Sequence, residues 1–124
     1  MQQEFKHLLE KVKEYQKVKE LVNEMENAIW SIRVPVQGVS YEFGIDEENY
    51  VIKTVGGQIA IYKKNGVEIS LVDFVDDPQK IRKIVNTVLY YASCIADIMS
   101  QKLDNLNDIK AIASAIIEEV NKCK

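Results

Sequence analysis

The chain is expected to fold as an α+β protein: a long N-terminal helix, a four-stranded antiparallel meander and two C-terminal helices. Three observations predict this. Apolar residues recur at spacings of three and four before Pro35, alternate with a period of two between Val39 and Phe74, and return to helical spacing after Pro78. The 124 residues are 47% hydrophobic and 28% charged with a net charge of −3, which suits one domain with its own core and excludes disorder as the main state.

The first helix is expected over about 3–32. Leu8, Val12, Tyr15, Val18, Val22, Met25, Ile29 and Ile32 mark one face, and Lys and Glu fill the rest, with Glu10 and Lys13, Glu14 and Lys17, and Lys17 and Glu20 spaced to pair. Pro35 disfavours helix at Val34 and Gly38 follows, so the stop is local. Such a helix is about 45 Å long, against a diameter of about 35 Å for a compact globule of this size. Its end is therefore expected to kink or to pack on something else, a second copy of the chain included. Trp30, Ile32 and Val34 are expected to clamp the helix to the sheet.

The sheet is expected over about 39–74, where VSYEFGI, NYVIKTV, QIAIYKK and VEISLVDF are separated by Asp46-Glu47-Glu48, Gly56-Gly57 and Asn65-Gly66. A two-residue turn at Gly56-Gly57 sets Thr54 against Ile59, Ile52 against Ile61 and Tyr50 against Lys63. A four-residue turn before it sets Ile45 against Tyr50, Phe43 against Ile52, and Glu42 beside Lys53. In the last hairpin, a three-residue loop with Gly66 as a left-handed bulge residue sets Ile61 against Ile69 and Ile59 against Leu71. That register collects one apolar face: Val39, Tyr41, Phe43, Ile45, Tyr50, Ile52, Ile59, Ile61, Val67, Ile69 and Leu71. The other face carries Val51, Val55, Ala60, Tyr62 and Val72 among charges, a mixed patch of the kind that marks interaction surfaces. Plain β propensity is the alternative explanation.

Asp77-Pro78 reads as an N-cap followed by proline at the first helical position. A helix from there to about 103 places Ile81, Ile84, Val85, Val88, Leu89, Ala92, Ile95, Ile98, Met99 and Leu103 on one wide stripe. After Asp104-Asn105-Leu106-Asn107, a last helix over about 108–122 is expected to bury Ile109, Ile112, Ala113, Ile116, Ile117 and Val120.

Little in the chain suits catalysis. The single histidine, His7, lies between Lys6 and Leu8 in the first helix and reads as a surface residue, and no histidine lies near Cys94 in sequence to form a thiolate pair. Cys94 and Cys123 make neither a disulfide framework nor a zinc set. The carboxylates of Asp46-Glu47-Glu48 and of Asp73, Asp76 and Asp77 sit where turns and caps use acids and lack a calcium-loop spacing. Gly56-Gly57 joins two strands, not a strand and a helix, and is a turn. No enzyme, metal or cofactor is expected. The chain also has no run of about 18 apolar residues and no secretory leader pattern, so a cytoplasmic protein is expected. Lys far outnumbers Arg, and Ile and Val outnumber Leu, a usage that suits an archaeal or viral source.

Charge locates the remaining options. Residues 1–33 are neutral, 34–76 carry −4 and 77–124 carry +1. Nucleic-acid binding needs concentrated basic groups, and the weak candidates are Lys80, Arg82 and Lys83. The element order is similar to that of small subunits of archaeal CRISPR-type ribonucleoprotein effector complexes, in layout and with no shared motif, which implies a nucleic-acid-associated subunit. A small acidic chaperone is a further option, although such chaperones return to β structure after the second helix and this chain does not. The leading expectation is a non-enzymatic interaction or assembly protein, a homodimer or a small subunit of a larger complex. Its candidate contacts are Val12, Tyr15, Val18 and Val22 on the first helix and Val51, Val55, Tyr62 and Val72 on the sheet.

Overall fold

Six elements follow one another in the computed structural model, which describes residues 2–124. They are α1 (Gln2–Trp30), β1 (Ser40–Ile45), β2 (Glu48–Val55), β3 (Gln58–Lys63), a 3-10 turn (Leu71–Phe74) and α2 (Pro78–Lys122). The architecture is α+β, with one three-stranded antiparallel sheet in the order β1-β2-β3. Backbone contacts divide the chain into two compact units, the first ending at Tyr91 and the second comprising Ala92–Lys124.

The β2–β3 hairpin has the expected register, with Thr54 opposite Ile59, Ile52 opposite Ile61 and Tyr50 opposite Lys63. Its turn residues Gly56 and Gly57 have φ of 59° and 82°, the left-handed pair that a two-residue hairpin turn demands. The β1–β2 hairpin departs from expectation. Asp46 and Glu47 alone form its turn, at φ of 51° and 68°, so Ile45 faces Glu48, Phe43 faces Tyr50 and Tyr41 faces Ile52. The pairing is displaced by two residues, which leaves each side chain on its expected face. It also parts the expected pair, because Glu42 faces Val51 and Lys53 faces Ser40. Left-handed backbone costs an L-residue about 1–2 kcal/mol. The tight turn matches the strand twist, stacks Phe43 on Tyr50 with centroids 5.5 Å apart, and brings the Tyr50 hydroxyl to Glu48 Oε2 at 2.6 Å.

The expected fourth strand does not form. The loop closes as anticipated around Gly66: Lys63 N donates to Val67 O at 2.7 Å and Ile69 N to Ile61 O at 3.0 Å. The pairing then reduces to a single bridge between Tyr62 and Glu68, and residues 71–74 wind into the 3-10 turn. The physical reason is a competing acceptor. Glu26 of α1, only 8% exposed, accepts Leu71 N at 2.7 Å and Ser70 Oγ at 3.0 Å through Oε2. The backbone donor that would extend the ladder at Leu71 is thus held by a side chain.

The two expected C-terminal helices are one. Asp77 caps it, accepting Lys80 N at 3.2 Å, and Pro78 is its first residue. Nothing between Leu103 and Asp108 is a strong breaker: Asp and Asn each cost only a few tenths of a kcal/mol relative to good helix formers, and no glycine or proline interrupts the run.

The core of the first unit lies on the apolar sheet face. Tyr50, Ile52, Ile61, Leu71, Ile84 and Tyr91 are its most buried large side chains. Tyr41 and Val67, expected there, are exposed, because they stand at the sheet margin and in the loop. The Tyr91 hydroxyl donates to Val39 O at 2.6 Å and lies 2.8 Å from Thr54 Oγ1. Its one proton is committed to the carbonyl, so Thr54 is the donor to Tyr91. After α1, Val34 N donates to Gly57 O at 2.7 Å with Val34 buried, whereas Trp30 is half-buried and Ile32 is exposed. The expected clamp is therefore carried by Val34.

Candidate interaction site

Four side chains of α1 are sequence-predicted contacts, and they divide between a groove and open surface. Val18 and Val22 line a groove of about 370 Å³ together with Val75, Pro78, Ile81, Arg82, Val85 and Asn86. Tyr15 borders it in sequence and donates its hydroxyl to Asp76 Oδ1 at 2.9 Å. This acceptor holds the Tyr15 hydroxyl above its ordinary pKa, since the phenolate would lose the bond and face a carboxylate. Val12 lies one turn earlier and is 45% exposed. Towards the N-terminus the row continues uncovered through Leu9, Leu8 and Phe5, which are 56–62% exposed.

The sheet candidates are less united. Val51 and Tyr62 are direct cross-strand partners and half-buried, and Lys53 Nζ lies 4.8 Å from the Tyr62 ring centroid. Val55 ends β2 at 46% exposure. Val72 lies in the 3-10 turn and not on a strand, so the four do not form the expected face.

Lys80, Arg82 and Lys83 have different surroundings. Lys80 is half-buried; its ammonium lies 4.6 Å from the Phe74 ring centroid, 5.7 Å from that of Tyr50 and 3.9 Å from Glu48 Oε2. The cluster is mutually tuned. The Tyr50 hydroxyl first, and then the charge of Lys63, hold the Glu48 carboxyl below its ordinary pKa. Burial first, and then the bond to Glu48, raise Tyr50. The Tyr50 hydroxyl also holds Lys80 above its usual value. Arg82 and Lys83 are exposed, with Arg82 on the groove wall. The arrangement fastens the start of α2 beside the first hairpin and leaves one of the three cations occupied.

The second unit supplies the surface that helical spacing alone assigned to the core. Leu103, Leu106, Ile109, Ile112, Ile116, Ile117 and Val120 are 50–60% exposed, and every residue from 101 to 124 is exposed. The expectation that Ile109, Ile112, Ala113, Ile116, Ile117 and Val120 are buried is thereby overturned. The second unit is helix alone, and the expected turn that would have folded it back on itself is absent.

Among the described residues, no three His, Cys, Asp or Glu side chains gather as a metal site, and no helix is long and apolar enough to cross a membrane. Cys94 is half-buried and Cys123 exposed, both as free thiols. Comparison of the chain with protein families, curated proteins and solved structures finds no match.

Sequence reasoning missed Glu26 and Tyr91. A glutamate inside a Lys/Glu-rich helix carries no local sign of burial. Tyr91 does have a signal, since it stands three residues after Val88 and four before Ile95 in the helical spacing of the core.

Proposed function

We propose that this chain is a non-enzymatic interaction or assembly protein, a homo-oligomer or a small subunit of a larger complex, that binds through apolar helix faces. The observation that carries the reading is the uncovered aliphatic row from Leu103 to Val120. Single exposed apolar residues are ordinary, but a contiguous row marks a surface that a partner covers. The open row on α1 and its groove support the same reading. The sheet patch contributes less, because Val72 is off the sheet and Val51 and Tyr62 are half-buried.

The test is sedimentation of the tagged chain in extract of its own cells, comparing wild type with Ile116→Asp and with Val12→Asp. The reading expects a complex larger than one chain that at least one of these substitutions reduces. Identical sedimentation of all three chains overturns it.

A further inference from the structure

Resting on that reading, we infer that residues 103–123 of α2 are the seam of a parallel, in-register self-assembly, so that the partner covering this row is further copies of the same chain. The row has the heptad spacing of a coiled coil. Leu106, Ala113 and Val120 are seven apart, and so are Ile109, Ile116 and Cys123, three residues after each. Lys102, at the next position of the second set towards the N-terminus, bounds the seam.

Area points to a partner of comparable size. Seven large aliphatic side chains that are half or more exposed carry roughly 100 Å² each, on the order of 700 Å² per chain, close to the about 800 Å² per partner of a standard stable interface. The flanking positions then choose partner and direction. In a parallel register the residue just before each first-set position meets the one five positions on in its neighbour: Asn105 meets Lys110, Ile112 meets Ile117 and Glu119 meets Lys124, so apolar meets apolar and no like charges meet. Antiparallel registers set Lys110 beside its own copy, or set Ile117 or Leu103 against Lys110. The row is thus complementary to itself in one direction. Leu106 on the first set with isoleucine on the second, and apolar residues on both flanks, suit three or four strands better than two.

Cys123 makes the direction measurable. Its amide lies within hydrogen-bonding reach of Glu119 O and Val120 O, each at 3.2 Å, so it continues the last helical turn. In a parallel seam its thiol faces the same thiol of a neighbour. Diamide, which accepts two electrons and two protons from a thiol pair, should then join chains through one disulfide.

The experiment is light scattering and sedimentation equilibrium of the purified full chain, with diamide cross-linking of wild type, Cys94→Ser and Cys123→Ser. The expected mass is three or four times 14.2 kDa, with cross-linking retained in Cys94→Ser and lost in Cys123→Ser. Ile116→Asp should give a single-chain mass while the near-ultraviolet dichroism of Trp30 stays unchanged, which separates loss of assembly from loss of fold. Val12→Asp should leave the mass unaltered. A single-chain mass for wild type overturns the proposal, as does an assembly that Cys123 does not cross-link or that Val12→Asp dissolves. A purified monomer that still enters an Ile116-dependent complex in extract defeats self-assembly while leaving the broader reading intact. An Ile116→Asp chain that matches wild type in both settings defeats the use of this row altogether.

Discussion

Ile84, Val88 and Tyr91 in the first part of α2 are at most 6% exposed, whereas Ile109, Ile116 and Ile117 in its later part are 58–60% exposed, although one helical spacing places them all. The difference lies in what stands opposite. The first group has the apolar sheet face, while the second belongs to a unit made of helix alone. Amphipathic periodicity therefore states that a face favours cover and says nothing about whether the same chain supplies it.

The largest effect that sharpens this comparison is in the core. Ile84→Ala should destabilise the first unit by about 2–5 kcal/mol in urea unfolding, through lost burial and a cavity. Ile109→Ala, measured at a dilution where the chain is a single copy, should change stability by less than ~0.5 kcal/mol. Equal losses would break the comparison by showing that the later row is covered within one chain.

The next effect tests the competing acceptor that ends the sheet. Glu26→Ala leaves the buried Leu71 amide and the Ser70 hydroxyl without their carboxylate, a loss of about 1–3 kcal/mol. Glu24→Ala, two residues earlier and exposed, should stay within ~0.5 kcal/mol. A smaller effect of opposite sign is expected from replacing Asp46-Glu47 by Asn-Gly, which suits the left-handed turn and should stabilise by about 1 kcal/mol. The smallest effect is a pH response. Because the Glu48 pKa is held low, its contribution is present above the ordinary glutamate range and is lost as pH falls through the lowered value. In Tyr50→Phe the Glu48 carboxyl should titrate closer to its ordinary range by NMR, and an unchanged titration would remove Tyr50 as the cause.

Much of the first unit was legible in the chain. The period-two run, Gly56-Gly57 and Pro78 specify strands, a register and a helix start through local backbone chemistry. The Gly66 bulge was legible for the same reason. Three features were not. The turn at Asp46-Glu47 places two ordinary residues in left-handed backbone, which local preference argues against. The fourth strand is lost to Glu26, 45 residues away from Leu71 in sequence, a competition that no local pattern records. The Asp104-Asn105-Leu106-Asn107 segment looks like a break only if weak helix formers are treated as strong ones. Of the candidate contacts, the groove residues Val18 and Val22 were visible from spacing. The Leu103–Val120 row was visible too, as hydrophobic residues expected in the core and found exposed.

Because Thr54 donates to Tyr91, and Tyr91 in turn to Val39 O, two hydroxyl protons stand in a fixed sequence inside the first unit. Sheltered hydroxyl protons exchange slowly with solvent and give separate resonances in proton NMR. The pair is therefore a built-in spectroscopic gauge of how firmly α2 is seated on the sheet: a loosening that frees the Tyr91 ring would broaden both signals together, before any strand comes apart.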